Sequence, residues 1–325
     1  MPPQSSIPVA IVTGFLGSGK TTLISRILRD PAFARTAIIV NEFGEIGLDH
    51  ELIASSDETL LALTTGCLCC AVRSDLVATL LDLQWRREAG DVGYDRVLIE
   101  TSGLADPAPI LHALMTDREL GQRHALAGVT TIVDTVHGEG TLGRHPEARR
   151  QVALADHLLL SKTDLAGPSE ALRAQLGALN PEATRGSTAD VSPETLFAGT
   201  TPGREVAADA RHSEGIASFV LQRDRPVPAL ALTLLLEALA EHCGARLLRM
   251  KGLVDIDEMP GQPAVIHGVQ HVFAAPEFLD RWPSSDTTTR IVFITQGVPR
   301  YFPARLLDAI EAEVREELER QPPLG

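Results

Sequence analysis

The sequence predicts an α/β fold, a mostly parallel sheet flanked by helices, followed by a smaller α+β domain with an antiparallel sheet. Three observations carry this. Over residues 1–185, short apolar β-branched runs alternate with segments of helical period, the pattern of βαβ units in a sheet covered on both faces. From Asn180 to Ser213, Gly, Pro, Ser, Thr and Ala dominate and periodicity weakens, which reads as a connection. Beyond it, three long strand-like runs lie between two amphipathic helices. At 325 residues the chain is long enough for two cores. We expect domains at 1–185 and 213–325, joined by a connecting segment at 186–212.

The elements follow in order. Ile7–Thr13 (IPVAIVT) reads as a buried strand. It runs into Gly14-Phe15-Leu16-Gly17-Ser18-Gly19-Lys20-Thr21-Thr22, which fits the G-x-x-x-x-G-K-[ST] pattern, and a helix is expected over Thr22–Arg29. Strands are expected at Thr36–Val40 and Leu60–Leu63, then a helix over Ser74–Arg87 with Ser74 or Asp75 as cap. Arg96–Glu100 is a strand ending in a carboxylate, followed by Thr101-Ser102-Gly103 and a helix from about Pro109. Ala127–Val133 is a strand, Ala148–Ala155 a helix and His157–Leu160 a strand that ends at Ser161-Lys162-Thr163-Asp164; Glu170–Leu179 is a helix. In the second domain, Ala217–Gln222, Arg246–Asp255, Ala264–Phe273 and Thr289–Thr295 read as strands. Ala229–Cys243 and Phe302–Arg320 read as helices, the latter with i,i+4 pairs such as Glu311 and Arg315.

Composition bounds the function. The hydrophobic share is 44%, the charged share 22% and the formal net charge −14. This argues against nucleic acid and against an anionic membrane as partner. No apolar run reaches a membrane span, and the N-terminus lacks a basic, then apolar, leader; a cytoplasmic location is expected. Only three of the 29 basic residues are lysine: Lys20, Lys162 and Lys251. Two of them fall in the motifs considered next.

Motifs in such a sheet are expected at the carboxyl ends of strands. In the first loop, Gly14, Gly17, Ser18 and Gly19 turn backbone N–H groups inward around a phosphate, at the positive end of a helix that starts with Lys20, Thr21 and Thr22. Lys20 would reach the β- and γ-phosphates and Thr21 would hold Mg²⁺. Glu100 would hold Mg²⁺ directly or through water, and Gly103 could meet the γ-phosphate through its N–H. Ser161-Lys162-Thr163-Asp164 resembles the N-K-x-D guanine signature. Asp164 would accept from the guanine N1–H and exocyclic amine, and Lys162 would lay its stem along the base. Serine replaces the usual asparagine, so one supporting contact is open. Together these imply a P-loop GTPase domain.

A second chemical centre is Cys67-Leu68-Cys69-Cys70. Thiolates at this density favour Zn²⁺, Cu⁺ or Co²⁺. A tetrahedral site needs a further ligand, for which Glu42 and Glu45, in the loop after the second strand, are the candidates. A redox pair and buried structural thiols are the alternatives. Cys243 sits alone in an apolar helix and reads as core.

GFLGSGKTT, NEFGEIGLD, GCLCC followed by RSDL, ETSGLADP and SKTD, in this order, resemble the CobW-type metal-chaperone GTPases, relatives of the UreG- and HypB-type nickel chaperones. The likeness continues through LLRMKGLVDI, the Trp282 region and TRIVFIT. It implies a slow GTPase that binds GTP or GDP with Mg²⁺, holds Zn²⁺ or Co²⁺ at the cysteine motif, and passes it to a client metalloenzyme. It also implies a monomer or a nucleotide- or metal-dependent dimer. The histidine-rich tract of many members is absent from this sequence. A redox-sensing GTPase using the cysteine trio and an ATP-dependent kinase or transferase are the rival readings.

Overall fold

The protein is described from a computed structural model, in which residues 6–41, 60–63, 71–197, 212–213 and 215–320 are described. The chain divides into two compact units, Met1–Thr200 and Thr201–Gly325.

The first unit is a seven-stranded parallel sheet of order β3-β2-β4-β1-β5-β6-β7. Its strands are β1 (Ile7–Thr13), β2 (Thr36–Asn41), β3 (Leu60–Leu63), β4 (Arg96–Glu100), β5 (His124–Asp134), β6 (His157–Ser161) and β7 (Thr184–Ser187). Strand β1 is almost wholly buried, with Val9, Ala10, Ile11 and Val12 fully enclosed. A strand apolar on both faces belongs inside a parallel sheet. The helices are α1 (Lys20–Ile27), α2 (Ala71–Ala89), α3 (Ala108–Thr116), α4 (Arg118–Gly121), α5 (Gly138–Arg144), α6 (Pro146–Leu154), α7 (Glu170–Leu179) and α8 (Pro193–Phe197). Leu23, Ile24 and Ile27 of α1 pack with Ala10, Val12, Ile38, Leu98 and Leu196 of α8 in one core. Each leucine, isoleucine or valine among them contributes about 1.5–3 kcal/mol on burial.

The order reverses at β1. Its left neighbour is β4 and its right neighbour β5, with Val12 in register with Glu100 and Thr13 with Thr131. The crevice at the carboxyl ends of such a switch point is where ligands bind in open α/β sheets. The loops after β1, β4, β5 and β6 all open there.

Several elements differ from expectation. Helix α2 already runs from Ala71, so its start precedes Ser74 and Asp75, the positions expected to begin it. The segment expected as a connection carries β7, a 3₁₀ turn at Thr188–Asp190 and α8 up to residue 197. Leu196 there is 1% exposed. Its anchoring is tertiary, which local composition does not report.

The second unit is an antiparallel sheet of order β12-β11-β10-β14-β9-β8, with β13 paired to β11. It comprises β8 (His212–Ser213), β9 (Ile216–Arg223), β10 (Leu247–Val254), β11 (Ala264–Val269), β12 (Val272–Phe273), β13 (Glu277–Phe278) and β14 (Thr289–Gln296), with α9 (Ala229–Cys243) and α10 (Phe302–Arg320). Apolar residues of α9 and α10 pack on Phe219, Met250, Ile266 and Phe293, and Phe219 stacks on Phe293 with centroids 5.4 Å apart. Cys243 is buried in this core, as expected. The single strand expected over Ala264–Phe273 is a hairpin instead. Gln270 takes φ 54° and Val269 pairs with Val272. The expected Glu311–Arg315 pair also does not form. Glu311 is 1% exposed and faces Arg225 at 3.6 Å. Arg315 turns to Asp257 and to the Pro226 carbonyl.

Candidate functional site

The loop after β1 is shaped by its first glycine. Gly14 has φ +146°, and a Cβ there would lie 2.5 Å from the Ile132 carbonyl oxygen and 2.7 Å from Ser18 Oγ. Only glycine lets the chain leave β1 against β5 in this way. Ser18 N–H donates back to Phe15 O at 3.1 Å, and α1 begins at Lys20 with Gly19 as its N-cap. Gly17 and Gly19 both take positive φ. Lys20 is buried; its ammonium donates to Gly14 O at 2.7 Å and Phe15 O at 3.3 Å, so it lies across the loop. Thr21 is half-buried and Thr22 exposed, both in the first turn of α1. Among the described residues the first turn carries no acidic side chain, which leaves the positive end of the helix free for an anion.

The loop after β4 is stitched to this one. Glu100 is 6% exposed at the end of β4. Thr101 N–H donates to Val12 O at 3.0 Å, and its hydroxyl donates to Thr13 Oγ1 at 2.7 Å, both side chains fully buried. Gly103 lies directly against the phosphate-loop backbone. A Cβ there would fall 2.8 Å from Leu16 N and 2.9 Å from Leu16 Cα, so no larger residue fits without moving the loop. From the other side, Gln151 of α6 donates its amide hydrogens to Gly103 O at 3.1 Å and Ala105 O at 3.0 Å. Asp106 ends the segment by accepting from Ala108 N–H at 2.9 Å.

The loop after β6 meets the phosphate loop through Ser161. Its hydroxyl donates to Ser18 O at 2.6 Å. Serine at this position thus bonds the phosphate loop directly. Lys162 takes φ +57°, and its ammonium pairs with Asp134 Oδ2 at 2.6 Å. Asp134 Oδ1 accepts from Val136 and His137 N–H. Burial pushes the Asp134 carboxyl up, but Lys162 and the two backbone donors outweigh it and hold the group below the ordinary carboxylate range. Thr135 Oγ1 bonds the carbonyls of Ser161 and Lys162. Asp164 is exposed at the outer edge of a turn in which Leu165 and Ala166 N–H reach Lys162 O. Its carboxylate has no hydrogen-bond or ion-pair partner among the described residues.

A cavity of about 140 Å³ lies beside the phosphate loop, lined among others by Leu16, Ser18, Asp134, Thr141, Gln151 and Lys162. Ser18 Oγ and Gln151 Oε1 are buried without a hydrogen-bond partner among the described residues.

The structure thus brings together Gly14, Gly17, Ser18, Gly19, Lys20, Thr21, Thr22, Glu100 and Gly103 around one loop, with Lys162 and Asp164 on the adjoining turn. Glu42, Glu45, Cys67, Cys69 and Cys70 lie outside the described residues. Among the described residues no cluster of His, Cys, Asp or Glu is arranged to hold a metal ion. Sequence reading missed Gln151 and Asp134 as parts of this site. Gln151 is 48 residues from Gly103 and lies within an amphipathic helix, so spacing carries no signal for it. Asp134, ending a strand beside Ser161 in register, offered a weak one. No helix among the described residues is long and apolar enough to cross a membrane.

Comparison with known proteins matches residues 8–185 to a family model described as the CobW/HypB/UreG nucleotide-binding domain. Residues 216–314 match the cobalamin synthesis protein CobW C-terminal domain. The chain is 35% identical over 310 residues to the zinc chaperone YjiA of Escherichia coli, covering 91% of this chain and 96% of the relative. It is 33% identical over 348 residues to the zinc chaperone CobW of Pseudomonas aeruginosa, covering 90% and 88%. Among solved structures, Zn(II)-bound YjiA GTPase from E. coli superposes with a TM-score of 0.74 at 28% identity, covering 94% of this chain and 99% of that one. A Zn(II)-bound triple mutant of the same GTPase, with one glutamate and two cysteines changed to alanine, also gives 0.74, at 29% identity, with 95% and 100% coverage.

Proposed function

The chain belongs to the CobW/HypB/UreG family, and from that premise we propose that it is a GTP-hydrolysing carrier of zinc. The observation that carries the nucleotide half is the turn after β6: Ser161 ties it to the phosphate loop, and Asp164 is left exposed beside it. A carboxylate with free lone pairs at that point accepts from the guanine N1–H and exocyclic amine together. Adenine lacks that donor pair, so GTP and GDP are selected over ATP.

In this reading the phosphates sit on the N–H groups of Gly14–Thr22. Lys20 exchanges carbonyl partners for β- and γ-phosphate oxygens, a gain because a full negative charge attracts an ammonium more strongly than a carbonyl dipole does. Gly103 N–H meets the γ-phosphate, and the Lys162 stem lies along the base. Thr21 and Glu100 supply a hydroxyl and a carboxylate, the hard oxygen donors that Mg²⁺ takes. Glu100 stands one strand from the phosphate loop, in register with Val12, which fits that ion. Mg²⁺ bound there would neutralise charge on the phosphate oxygens. The residues after Gly103 are Leu104, Ala105 and Asp106, with no glutamine to orient water. Turnover is slow in this reading.

The metal is cargo. Zinc is the reading because the relatives are named zinc chaperones; cobalt is the second. Cys67, Cys69 and Cys70 supply thiolates and Glu42 a carboxylate, completing a four-ligand site. Release passes the ion to a client metalloenzyme. Total bound zinc is a poor readout, since a relative with two cysteines and a glutamate removed is still described as Zn(II)-bound. Cobalt substitution is sharper. Wild type loaded with Co²⁺ and a non-hydrolysable GTP analogue should give a thiolate-to-cobalt charge-transfer band. Replacing Cys67, Cys69 and Cys70 together by alanine should abolish it while GTP binding persists. A band that survives overturns the cysteine site. Reversible disulfide formation with no metal uptake points instead to the redox-sensing GTPase.

A further inference from the structure

We propose that Gln151 is a latch, a positioning residue that holds the Glu100–Asp106 loop in the arrangement that receives the γ-phosphate. This deepens the reading of the Gly14–Thr22 loop as a GTP site and rests on it.

The loop is held at both ends. Its start is pinned to β1 by Thr101, through Val12 O and Thr13 Oγ1. Its end is pinned by Asp106 at the start of α3. Between these, Ser102 to Ala105 has one side-chain hydrogen-bond tether from outside the loop among the described residues: the Gln151 amide, which donates to Gly103 O and Ala105 O. One side chain thus fixes two carbonyls, two residues apart, on either side of Leu104.

The base of the latch is itself anchored. Gln151 is 1% exposed, and its backbone carbonyl accepts from Thr131 Oγ1 of β5 at 2.7 Å. The end of α6 is gripped by Asn180, whose amide donates to the carbonyls of Val152, Ala153 and Ala155. Arg150, next along the helix, approaches Asp106 at 3.7 Å. The amide is therefore carried on a fixed platform.

The direction of the effect follows from Gly103. It already abuts Leu16 N and Cα so closely that a Cβ would overlap them. The loop has no further closure to make, so the latch holds it closed in advance of the ligand. A preorganised contact lowers the cost of binding. Only a ligand that touches Gly103 benefits, and GDP lacks the γ-phosphate. The Gln151 acceptor, Oε1, has no partner among the described residues and borders the cavity that also borders Ser18. That space is ample for water, which would satisfy the acceptor without competing for the two donated hydrogens.

The test compares the affinities of a non-hydrolysable GTP analogue and of GDP in wild type, Gln151→Leu and Gln151→Glu. Leucine removes both donors at similar volume. Loss of two hydrogen bonds should weaken the analogue by about tenfold while GDP stays within about twofold. In Gln151→Glu an ionised carboxylate faces two carbonyl oxygens, so the analogue should bind worst at neutral pH. Its affinity relative to wild type at the same pH should recover as the pH falls and the carboxyl regains a donor. A role in packing alone gives no such recovery. Equal weakening of both nucleotides, or no change in either, overturns the latch. If wild type prefers an ATP analogue to the GTP analogue, the underlying nucleotide reading fails instead. GDP binding reports folding for each variant; if Gln151→Leu does not fold, Gln151→Glu and its pH profile decide.

Discussion

In the parallel sheet, polar side chains at the strand ends converge on one another; in the antiparallel sheet they tie a helix to the edges of strands. Thr101, Ser161, Lys162, Asp134 and Gln151 come from the ends of three strands and from a helix, yet all bond to groups at one end of the first sheet. In the second unit, Arg223 reaches Asp308 and Ala304 O of α10, and Arg315 reaches back to Asp257 and Pro226 O. The difference is topological. Parallel strands deliver every second loop to the same edge, so loops can build one site. In the antiparallel sheet neighbouring strands run in opposite directions, so its loops leave at both ends and no single edge gathers them. The first arrangement leaves groups waiting for a ligand: Asp164 exposed, Ser18 Oγ and Gln151 Oε1 without partners among the described residues.

Variants in the two units should therefore separate function from stability. The largest effect is expected for Lys20→Ala. Loss of a buried ammonium from the phosphate loop should lower affinity for GTP and GDP by about a hundredfold or more, in protein that circular dichroism shows to be folded. Retained affinity would break the contrast between the sheets. Next is Asp164→Asn, which replaces an acceptor by a group that also donates. GTP affinity should fall about tenfold to a hundredfold. Xanthosine triphosphate, with a carbonyl in place of the exocyclic amine, should gain. A parallel fall for both bases would mean that Asp164 does not read the base.

Smaller effects sharpen the comparison. The Asp134 carboxyl is held below its ordinary value in the folded protein. A depressed folded value contributes stability that is present above the unfolded value, about 3.9, and is lost as pH falls through the folded one. Wild type should thus lose thermal stability below about pH 4 more steeply than Asp134→Asn; matching profiles would remove Asp134 from the account. Smallest is Asp308→Ala. Its carboxylate is 60% exposed, so breaking the pair with Arg223 should cost at most about 1 kcal/mol. Equilibrium denaturation should register that change while GTP affinity stays constant.

Much of the first unit was legible in sequence because its signals are local. A β-branched run, a glycine-punctuated turn and a helix start lie within the stretch from Ile7 to Ile27, and each strand that bears a motif is apolar on both faces. The serine at position 161 was legible as a departure from N-K-x-D, but its hydroxyl reaching Ser18 O was not, because that contact spans 143 residues. Gln151 was hidden in the same way. Strand β7 and α8 escaped because their composition is that of a linker. They are held by pairing with β6 and by Leu196 in the core. The turn at Gln270 escaped because glutamine is not a turn signal. Gly268 beside it, where a Cβ would lie 2.5 Å from the Phe273 ring, is the residue that lets the hairpin close. In α10, i,i+4 spacing suggested a pair, but burial of Glu311 turned it toward Arg225 instead.

For a GTP-hydrolysing zinc carrier, we propose that the nucleotide site governs the metal site. Linkage requires the γ-phosphate to change zinc affinity by the same factor as zinc changes GTP affinity. The direct measurement is zinc affinity by chelator competition, with Mg²⁺ present throughout, for protein saturated with a non-hydrolysable GTP analogue and for protein saturated with GDP. The account predicts binding tighter by about tenfold or more with the analogue, within the usual range of coupling energies. Equal affinities in the two states would contradict it.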